Sequence, residues 1–316
     1  MNTILGTMNI EYQYSSLIDK SNEKYASIIQ KYIDEVPDPI LDTAYYYGNT
    51  KTEQVLGDIL PTLTKKPKIA TKANPWYNND FTNGQLGQLS PDNLEFQLNT
   101  SLKNLKLNSV DIFYLHCPDH ETPIKDTLEK CDELWRKEKY REFGISNFSK
   151  DQLKEILDIT ENNGFIKPIY YQGMYNIISR KVEEIFPLLH NYDIQFWAYN
   201  PLAGGLLTGK YNNGLITNSR FGDNKIYQNI FWKEKIINNL EDFFKLDNCT
   251  EVSFQWLKNN SKLRLTDKII IGASTTKQLE TNIILINKDN NFNNDFLKYL
   301  DDIYFNIDDI SPNYYY

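Results

Sequence analysis

The amino-acid sequence predicts an α/β fold, a closed (β/α)8 TIM barrel with its active site at the C-terminal ends of the strands, on three observations. Eight short apolar runs alternate with amphipathic stretches. Their starts lie mostly about 25–40 residues apart, the spacing of a βα unit. Six of the runs in succession end in polar or ionisable residues. Repeated βα units give parallel strands with helices outside, and eight of them in about 280 residues favour a closed barrel over an open sheet. The 316 residues are therefore expected to form one domain, 1–316.

The expected strands are Ile4–Ile10, Ile40–Ala44, Lys68–Ala73, Asp111–Cys117, Glu142–Asn147, Ile169–Gly173, Ile194–Tyr199 and Lys268–Ala273. Between them, Ser90–Lys106 opens on Ser-Pro-Asp, a cap with proline in the first turn, and sets Leu94, Leu98, Leu102 and Leu105 on one face. Ile124–Lys139 places Leu128, Cys131, Leu134 and Trp135 at helical spacing, and Ser149–Thr160 opens on a Ser cap before Leu153, Ile156 and Leu157. Lys181–Leu189 and Thr276–Ile286 follow the same pattern. The interval Leu202–Asp267 is too long for one βα unit, so an elaborated loop is expected over Leu207–Phe231. The Asn-rich stretch Asp289–Asp295 reads as a solvated loop. The aromatic tail after Lys288 is expected to fold over the barrel as a loop, 288–316.

Composition narrows the function. Lys plus Arg is 34 and Asp plus Glu is 42, a net charge of −8, which speaks against a general nucleic-acid binder. A hydrophobic fraction of 41% with 14% aromatics excludes a disordered chain. No apolar run approaches the roughly 20 residues of a membrane span, and no secretory signal is visible at the N-terminus. Cys117, Cys131 and Cys249 form neither a CxxC pair nor a zinc spacing, so no metal site is expected and a reducing, cytoplasmic setting fits. A GxGxxG turn after a strand is absent, which disfavours a doubly wound dinucleotide site.

Barrel active sites sit at the C-terminal ends of the strands, so those ends carry the argument. They bring Asp42 with Tyr45, Tyr46 and Tyr47, then Lys72, His116, Ser146 with Asn147, Gln172, and Tyr199 with Asn200, Pro201 and Leu202. Taken singly, each has an ordinary reading: a structural salt bridge for Lys72, a core residue for His116, packing for the tyrosines. Together, Tyr47, Lys72 and Asp42 make chemical sense as a tuned acid. A phenol near pKa 10 exchanges protons poorly at pH 7. A Lys ammonium about 4 Å away favours phenolate by up to ~4 kcal/mol at an effective dielectric of about 20. Burial opposes that gain, leaving a net lowering. Asp42 would keep Lys72 charged and oriented, and His116 could hold a carbonyl oxygen beside Tyr47.

These residues resemble the aldo-keto reductases. Asp-Thr-Ala-x-x-Tyr at Asp42–Tyr47, the strand-end Lys72 and His116 match that family's catalytic tetrad. The resemblance is to the aflatoxin-aldehyde reductase branch. It rests on Leu5–Met8, Ile69–Trp76, Asp111–His116, Pro118–His120, Tyr171–Asn176 and, at greatest length, Ala198–Tyr211. It runs from about residue 4 to 316. It implies reduction of aldehydes and some ketones with NADPH, leaving NADP+. Tyr47 would donate the proton, Lys72 would lower its pKa, Asp42 would support Lys72, and His116 would orient the carbonyl. Ser146, Asn147 and Gln172 would hold the nicotinamide carboxamide, and Tyr199 would stack on the ring. The loop from Asn200, Pro201 and Leu202 through Gly204, Gly205 and Lys210 would wrap the pyrophosphate, within a cofactor segment of about 200–232 that includes Arg220. Ser274, Gln278 and Asn282 would hold the adenosine phosphate. The substrate pocket would be lined by Met8, Trp76, His116, Tyr227 and Tyr316. The partner is then a small-molecule carbonyl compound, and the branch's tendency to dimerise adds a homodimer.

Two departures bear on the substrate. Where the branch ends in Arg, this chain has Tyr316, and where it carries Arg before the Phe-Trp pair, this chain has Ile230. Without those cations, acidic aldehydes should be poor substrates, and neutral aromatic aldehydes or dicarbonyls better ones. A second reading from the resemblance is a nucleotide-binding regulatory subunit of the potassium-channel beta type, with little turnover.

Overall fold

The computed structural model describes residues 3–13, 18–77, 85–212, 214–216, 225–289 and 292–316. Eight parallel strands close into a barrel in sequence order. They are β1 (Thr3–Gly6), β2 (Ile40–Asp42), β3 (Lys68–Ala73), β4 (Val110–Leu115), β5 (Tyr140–Ser146), β6 (Tyr170–Met174), β7 (Gln195–Tyr199) and β8 (Lys268–Ile271). Closure is made by β8 on β1, with Thr3, Ile4 and Leu5 opposite Ile269, Ile270 and Ile271. Outside the strands lie α1 (Ile18–Glu35), α2 (Lys51–Ile59), α3 (Pro91–Leu105), α4 (Ile124–Arg136), α5 (Lys150–Asn163) and α6 (Phe186–Asn191). They are followed by α7 (Lys225–Phe231), α8 (Glu234–Asn239), α9 (Glu241–Phe244), α10 (Cys249–Gln255), α11 (Thr276–Asn287) and α12 (Asn294–Phe305).

Two buried layers follow from the two-residue period of a strand. The larger core fills the space between strands and helices. A smaller cluster of Ile4, Ile40, Ala70, Ile112, Tyr114, Trp197 and Ile270 plugs the barrel interior. Two residues beyond these plugs, on the same face, come the strand-end polar groups: Asp42 after Ile40 and Lys72 after Ala70. Gln172 stands likewise after Tyr170, which packs against the plug. The interior also needs an empty position. A Cβ on Gly144 of β5 would lie 2.3 Å from Cε1 of Tyr114, so this glycine admits the Tyr114 ring.

Helix ends match their sequence signals. Pro91 stands in the first turn of α3, and Lys106 ends that helix in the left-handed region. Ser149 and Gln152 form a reciprocal capping box on α5, which Gly164 terminates.

Three expectations need correction. The first strand stops at Gly6, and a 3-10 helix, Met8–Gln13, replaces its second half. The interval Leu207–Phe231 is not all loop, because α7 occupies Lys225–Phe231. The segment 288–316 is not an open loop either. Asn293 caps α12 by accepting from the Phe296 amide, so Asn294 and Asp295 begin a helix. Leu300, Ile303 and Tyr304 are its buried face. Only the last residues form the tail. There Ser311 Oγ donates to the Ile178 carbonyl (2.8 Å), and the Tyr316 amide donates to the Asn147 carbonyl (3.3 Å) on the barrel rim.

No helix among the described residues is long and apolar enough to cross a membrane, and none of their His, Cys, Asp and Glu side chains cluster as a metal site. All three cysteines are free and buried.

Candidate active site

The C-terminal mouth of the barrel holds a buried ion pair. Asp42 ends β2, and its backbone carbonyl is fixed by the amide and hydroxyl of Thr7, both at 2.9 Å. Its two carboxylate oxygens each accept from Lys72 Nζ at 2.8 Å. The same ammonium donates to the Thr43 carbonyl at 2.7 Å, and Gln172 Nε2 donates to Asp42 Oδ1 at 2.6 Å. Both charges are out of water, which is tolerable only because each is paired and hydrogen-bonded. Burial pushes the Lys72 ammonium below the ordinary lysine range, with Asp42 beside it pulling the other way.

Tyr47 stands above this pair. Gly48, Asn49 and Thr50 are three consecutive residues with positive φ (61°, 50° and 71°). They turn the chain sharply from β2 into α2, with Tyr47 at the start of the turn. Lys72 Nζ lies 5.2 Å from the centre of the Tyr47 ring and 5.9 Å from that of Tyr114. His116, one residue past β4, meets Tyr47 edge-on at 5.8 Å between ring centres. Trp76 lies 5.1 Å from His116 and 5.0 Å from Tyr46, completing an aromatic wall. Burial holds His116 well below the usual histidine range, and the Lys72 ammonium adds to the effect. The ring is therefore neutral at pH 7. Its Nδ1 is buried, and no described residue hydrogen-bonds to it.

The rim beside His116 is a second network. Asn147, held at φ 64°, donates from Nδ2 to the His116 carbonyl and to Ser146 Oγ, both at 2.9 Å. Its Oδ1 accepts from the Tyr199 hydroxyl at 2.7 Å. The chain then passes through Asn200, Ala203, Gly204 and Gly205, all with positive φ. Asn200 Oδ1 accepts from the Gly204 amide at 3.0 Å, and the Leu202 carbonyl accepts from the Gly205 amide at 2.8 Å, beyond buried Pro201. A Cβ on Gly205, held at φ 102°, would stand 3.5 Å from Lys210 Nζ, so that exposed ammonium lies beside the glycine turn.

Past β8, Ser274 donates its amide to Gln278 Oε1 (2.8 Å), and Thr275 Oγ1 accepts from the Gln278 amide (3.1 Å) at the start of α11. Asn282 is buried and donates to the Gly272 carbonyl at 3.3 Å. Met8, Tyr227 and Ile230 are half-buried, with Tyr227 stacked on Phe231. Arg220 lies outside the described residues.

Asp42, Tyr47, Lys72 and His116 thus converge on one place, with Trp76 beside them. Asn147, Ser146 and Tyr199 form an adjoining network, which Tyr316 joins through its amide. Gln172 belongs to the ion pair as well as to the rim. Sequence reasoning missed Tyr46 as part of the wall and Tyr114 beneath Lys72. Tyr114 had a signal in the alternation Ile112-x-Tyr114, which turns it inward. Chemically, a neutral imidazole, which keeps one N–H donor, beside a phenol and above a buried ammonium suits an oxygen that gains negative charge and takes up a proton.

Comparison with known proteins places the chain in a family. The sequence profile of the Aldo/keto reductase family matches residues 3–304. The chain belongs to the aldo/keto reductase family. It is an oxidoreductase by that membership. It is similar to aflatoxin B1 aldehyde reductase member 2 of Rattus norvegicus, 38% identical over 303 residues covering 89% of this chain and 78% of the relative. The protein of the same name from Homo sapiens is 40% identical over 265 residues, covering 77% of this chain and 72% of the relative. Among solved structures, an aldo-keto reductase of Bacillus halodurans in its holo form superposes with a TM-score of 0.68 at 19% identity, over 100% of this chain and 93% of that one. One from Klebsiella pneumoniae in complex with NADPH gives 0.68 at 18% identity, over 96% and 90%. These two share the reductase barrel.

Proposed function

We propose that this aldo/keto reductase is a single barrel domain, 1–316, that reduces aldehydes, and some ketones and dicarbonyls, to alcohols with NADPH, Tyr47 being the proton donor. The observation that carries the reading is the Lys72 ammonium, buried on Asp42 and 5.2 Å from the Tyr47 ring, with His116 alongside.

The residues present fit the dinucleotide. The glycine turn at Gly204 and Gly205 beside the exposed Lys210 suits a pyrophosphate, which takes backbone amides and a cation. Tyr199 is half-buried and pinned by its hydroxyl, so its ring can serve as a fixed stacking face. Ser146, Asn147 and Gln172 offer amide and hydroxyl groups to a carboxamide. Asn200, Pro201, Leu202 and Gly204 shape the loop with Gly205, and Ser274, Gln278 and Asn282, with Arg220, serve the adenosine end. The chemistry supplied by a bound NADPH is hydride transfer to a carbonyl carbon.

The chain's own part is to bind and orient the carbonyl and to deliver a proton. An N–H of the neutral His116 ring positions the carbonyl oxygen by donating to it. Tyr47 passes its hydroxyl proton to that oxygen as negative charge builds on it, and the Lys72 ammonium stabilises the phenolate left behind. Asp42 and the Thr43 carbonyl keep Lys72 charged and in place. Met8, Trp76, Tyr227 and Tyr316 would line an aromatic pocket without the two arginines that would favour an acidic substrate. Neutral aromatic aldehydes should therefore be preferred over acidic ones.

The test is loss of NADPH absorbance with 4-nitrobenzaldehyde and with succinic semialdehyde, for the intact protein and Tyr47→Phe. The substitution should cut turnover by about 10²-fold or more and leave NADPH affinity, read by fluorescence, near normal. Retained turnover in Tyr47→Phe refutes the proton donor, and a clear preference for the acid refutes the pocket. No turnover with any aldehyde, alongside tight NADPH binding, would favour a regulatory subunit.

A further inference from the structure

Glu53 lies one layer behind the site, on the helix side of β3, and takes no part in the mechanism above. It sits in the first turn of α2 and is completely buried (0% exposed). Strand alternation explains its position. Lys72 turns into the barrel, so its neighbour Thr71 turns outward to the helices. The Thr71 hydroxyl donates to Glu53 Oε1 at 2.5 Å. Ser101 of α3 flanks the same carboxyl. No described residue hydrogen-bonds to Oε2, and that atom is out of contact with water.

The helix packs tightly against its neighbour beside this carboxyl. A Cβ on Gly57, one turn further along α2, would lie 2.0 Å from the Asn104 carbonyl of α3, so the two helices touch backbone to backbone there. The charged group that faces Glu53 is Lys72, across β3. Thr71 from β3 and Ser101 from α3 do not titrate. Lys72 in turn faces Asp42, Tyr47, Tyr114 and His116.

A carboxyl so placed resists ionisation because its charge would be poorly solvated. Burial pushes Glu53 up to about 7, against the pull of Thr71, Ser101 and Lys72. Its charge therefore changes across neutral pH.

We propose that Glu53 is a positioning residue for the proton donor, a second carboxyl behind Lys72 whose negative charge, when present, acts through Lys72 on Tyr47. The proposal rests on the reading of Tyr47 as proton donor. Lys72 then serves two carboxylates, Asp42 in front and Glu53 behind. When Glu53 is neutral, the ammonium's field acts on Tyr47 against Asp42 alone. When Glu53 loses its proton, the added negative charge offsets part of that field and disfavours the phenolate. Tyr47 becomes a weaker acid as pH rises through neutrality.

The decisive variant is Glu53→Gln, which keeps the shape and an acceptor for Thr71 but carries no charge. Tyr47 ionisation is read without turnover, as the ultraviolet difference titration between each protein and its Tyr47→Phe counterpart. Removing Glu53's charge should lower the Tyr47 midpoint by on the order of one pH unit, the size expected if a unit charge stands on the order of 10 Å away at an effective dielectric near 20. The alkaline limb of the reduction rate should move the same way, and Glu53→Asp should stay near the intact protein. Melting temperatures at pH 5 and pH 8 report the charge itself. A carboxyl whose folded pKa exceeds its unfolded value loses stability as pH rises between the two. The intact protein should thus lose more melting temperature over that interval than Glu53→Gln does. Should Glu53→Gln fold poorly, Thr71→Val removes a donor that favours the charged form and should shift the midpoint in the same direction by less. An unchanged Tyr47 midpoint in the variants overturns the proposal, even if melting changes, because a structural role alone moves only the latter. Failure of the proton-donor reading shows separately, as turnover retained in Tyr47→Phe.

Discussion

Lys72→Met should destabilise the fold by about 3–5 kcal/mol, because it strands a buried charge. Asp42 is 3% exposed and accepts three hydrogen bonds on its carboxylate, two from Lys72 at 2.8 Å and one from Gln172 at 2.6 Å. Met fills nearly the volume of the lysine stem, so packing changes little and the loss is electrostatic. Only the Gln172 amide would then face a carboxylate that water cannot reach. A buried carboxylate left without its counter-ion is favoured in its neutral form. The deficit should accordingly shrink as pH falls from 7 to 5. Asp42→Asn strands the opposite charge and should cost a comparable amount. The double variant carries neither charge, so its loss should fall short of the sum of the single losses by about 2 kcal/mol or more. Urea unfolding at pH 7 and pH 5, with midpoint and slope both fitted, measures each term of this cycle. A Lys72→Met protein within about 1 kcal/mol of the intact one at pH 7, or strictly additive losses, would show that the pair does not carry the mouth of the barrel as argued.

Two further outcomes test the surroundings of that pair. Gly144→Ala should cost about 1–3 kcal/mol by urea unfolding, since its methyl would stand 2.3–2.8 Å from three atoms of the Tyr114 ring; an unchanged midpoint would mean the ring is not held where described. His116, kept neutral by burial and by Lys72, should show no titration of its imidazole proton resonances between about pH 6 and 8; an inflection in that range contradicts the neutral ring.

The barrel was legible because its physics is local and repeats. Ile40-x-Asp42, Ala70-x-Lys72 and Ile112-x-Tyr114 each put an apolar plug and a polar group on the same strand face. Caps such as Ser149 with Gln152 announce helix starts within four residues. Asp42, Lys72 and His116 were legible for the same reason, as polar residues at the ends of three successive strands, while the role of Tyr47 came from the resemblance. What escaped depends on pairings across the barrel. Gln172 and Asp42 are 130 residues apart and bond only because β2 and β6 bring inward-facing ends together. The helix α12 hid behind an Asn-rich start that read as solvated loop, although Asn293 is the cap that begins it. Glu53 was invisible for a subtler reason: an acid in the first turn of a helix is ordinary, since it complements the helix dipole at the surface. Only Gly57, by bringing the α3 backbone against α2, converts that position into an interior one.

The net charge of −8 describes the exterior, and the chemistry depends on a local exception to it. Lys72 is a buried cation whose field reaches Asp42, Tyr47, Tyr114 and His116, with Glu53 behind. Burial, with that field added to it, keeps the imidazole neutral. On the proposed reading of Tyr47, the same field favours the phenolate left when it gives up its proton. One charge can serve both ends only while water is excluded from it, because screening would erase both effects at these distances. The ring of Tyr114, admitted by Gly144, closes the floor beneath that charge. The closed barrel is thus part of the chemistry: its packed interior supplies the low-dielectric setting in which a lysine can act on two neighbours at once.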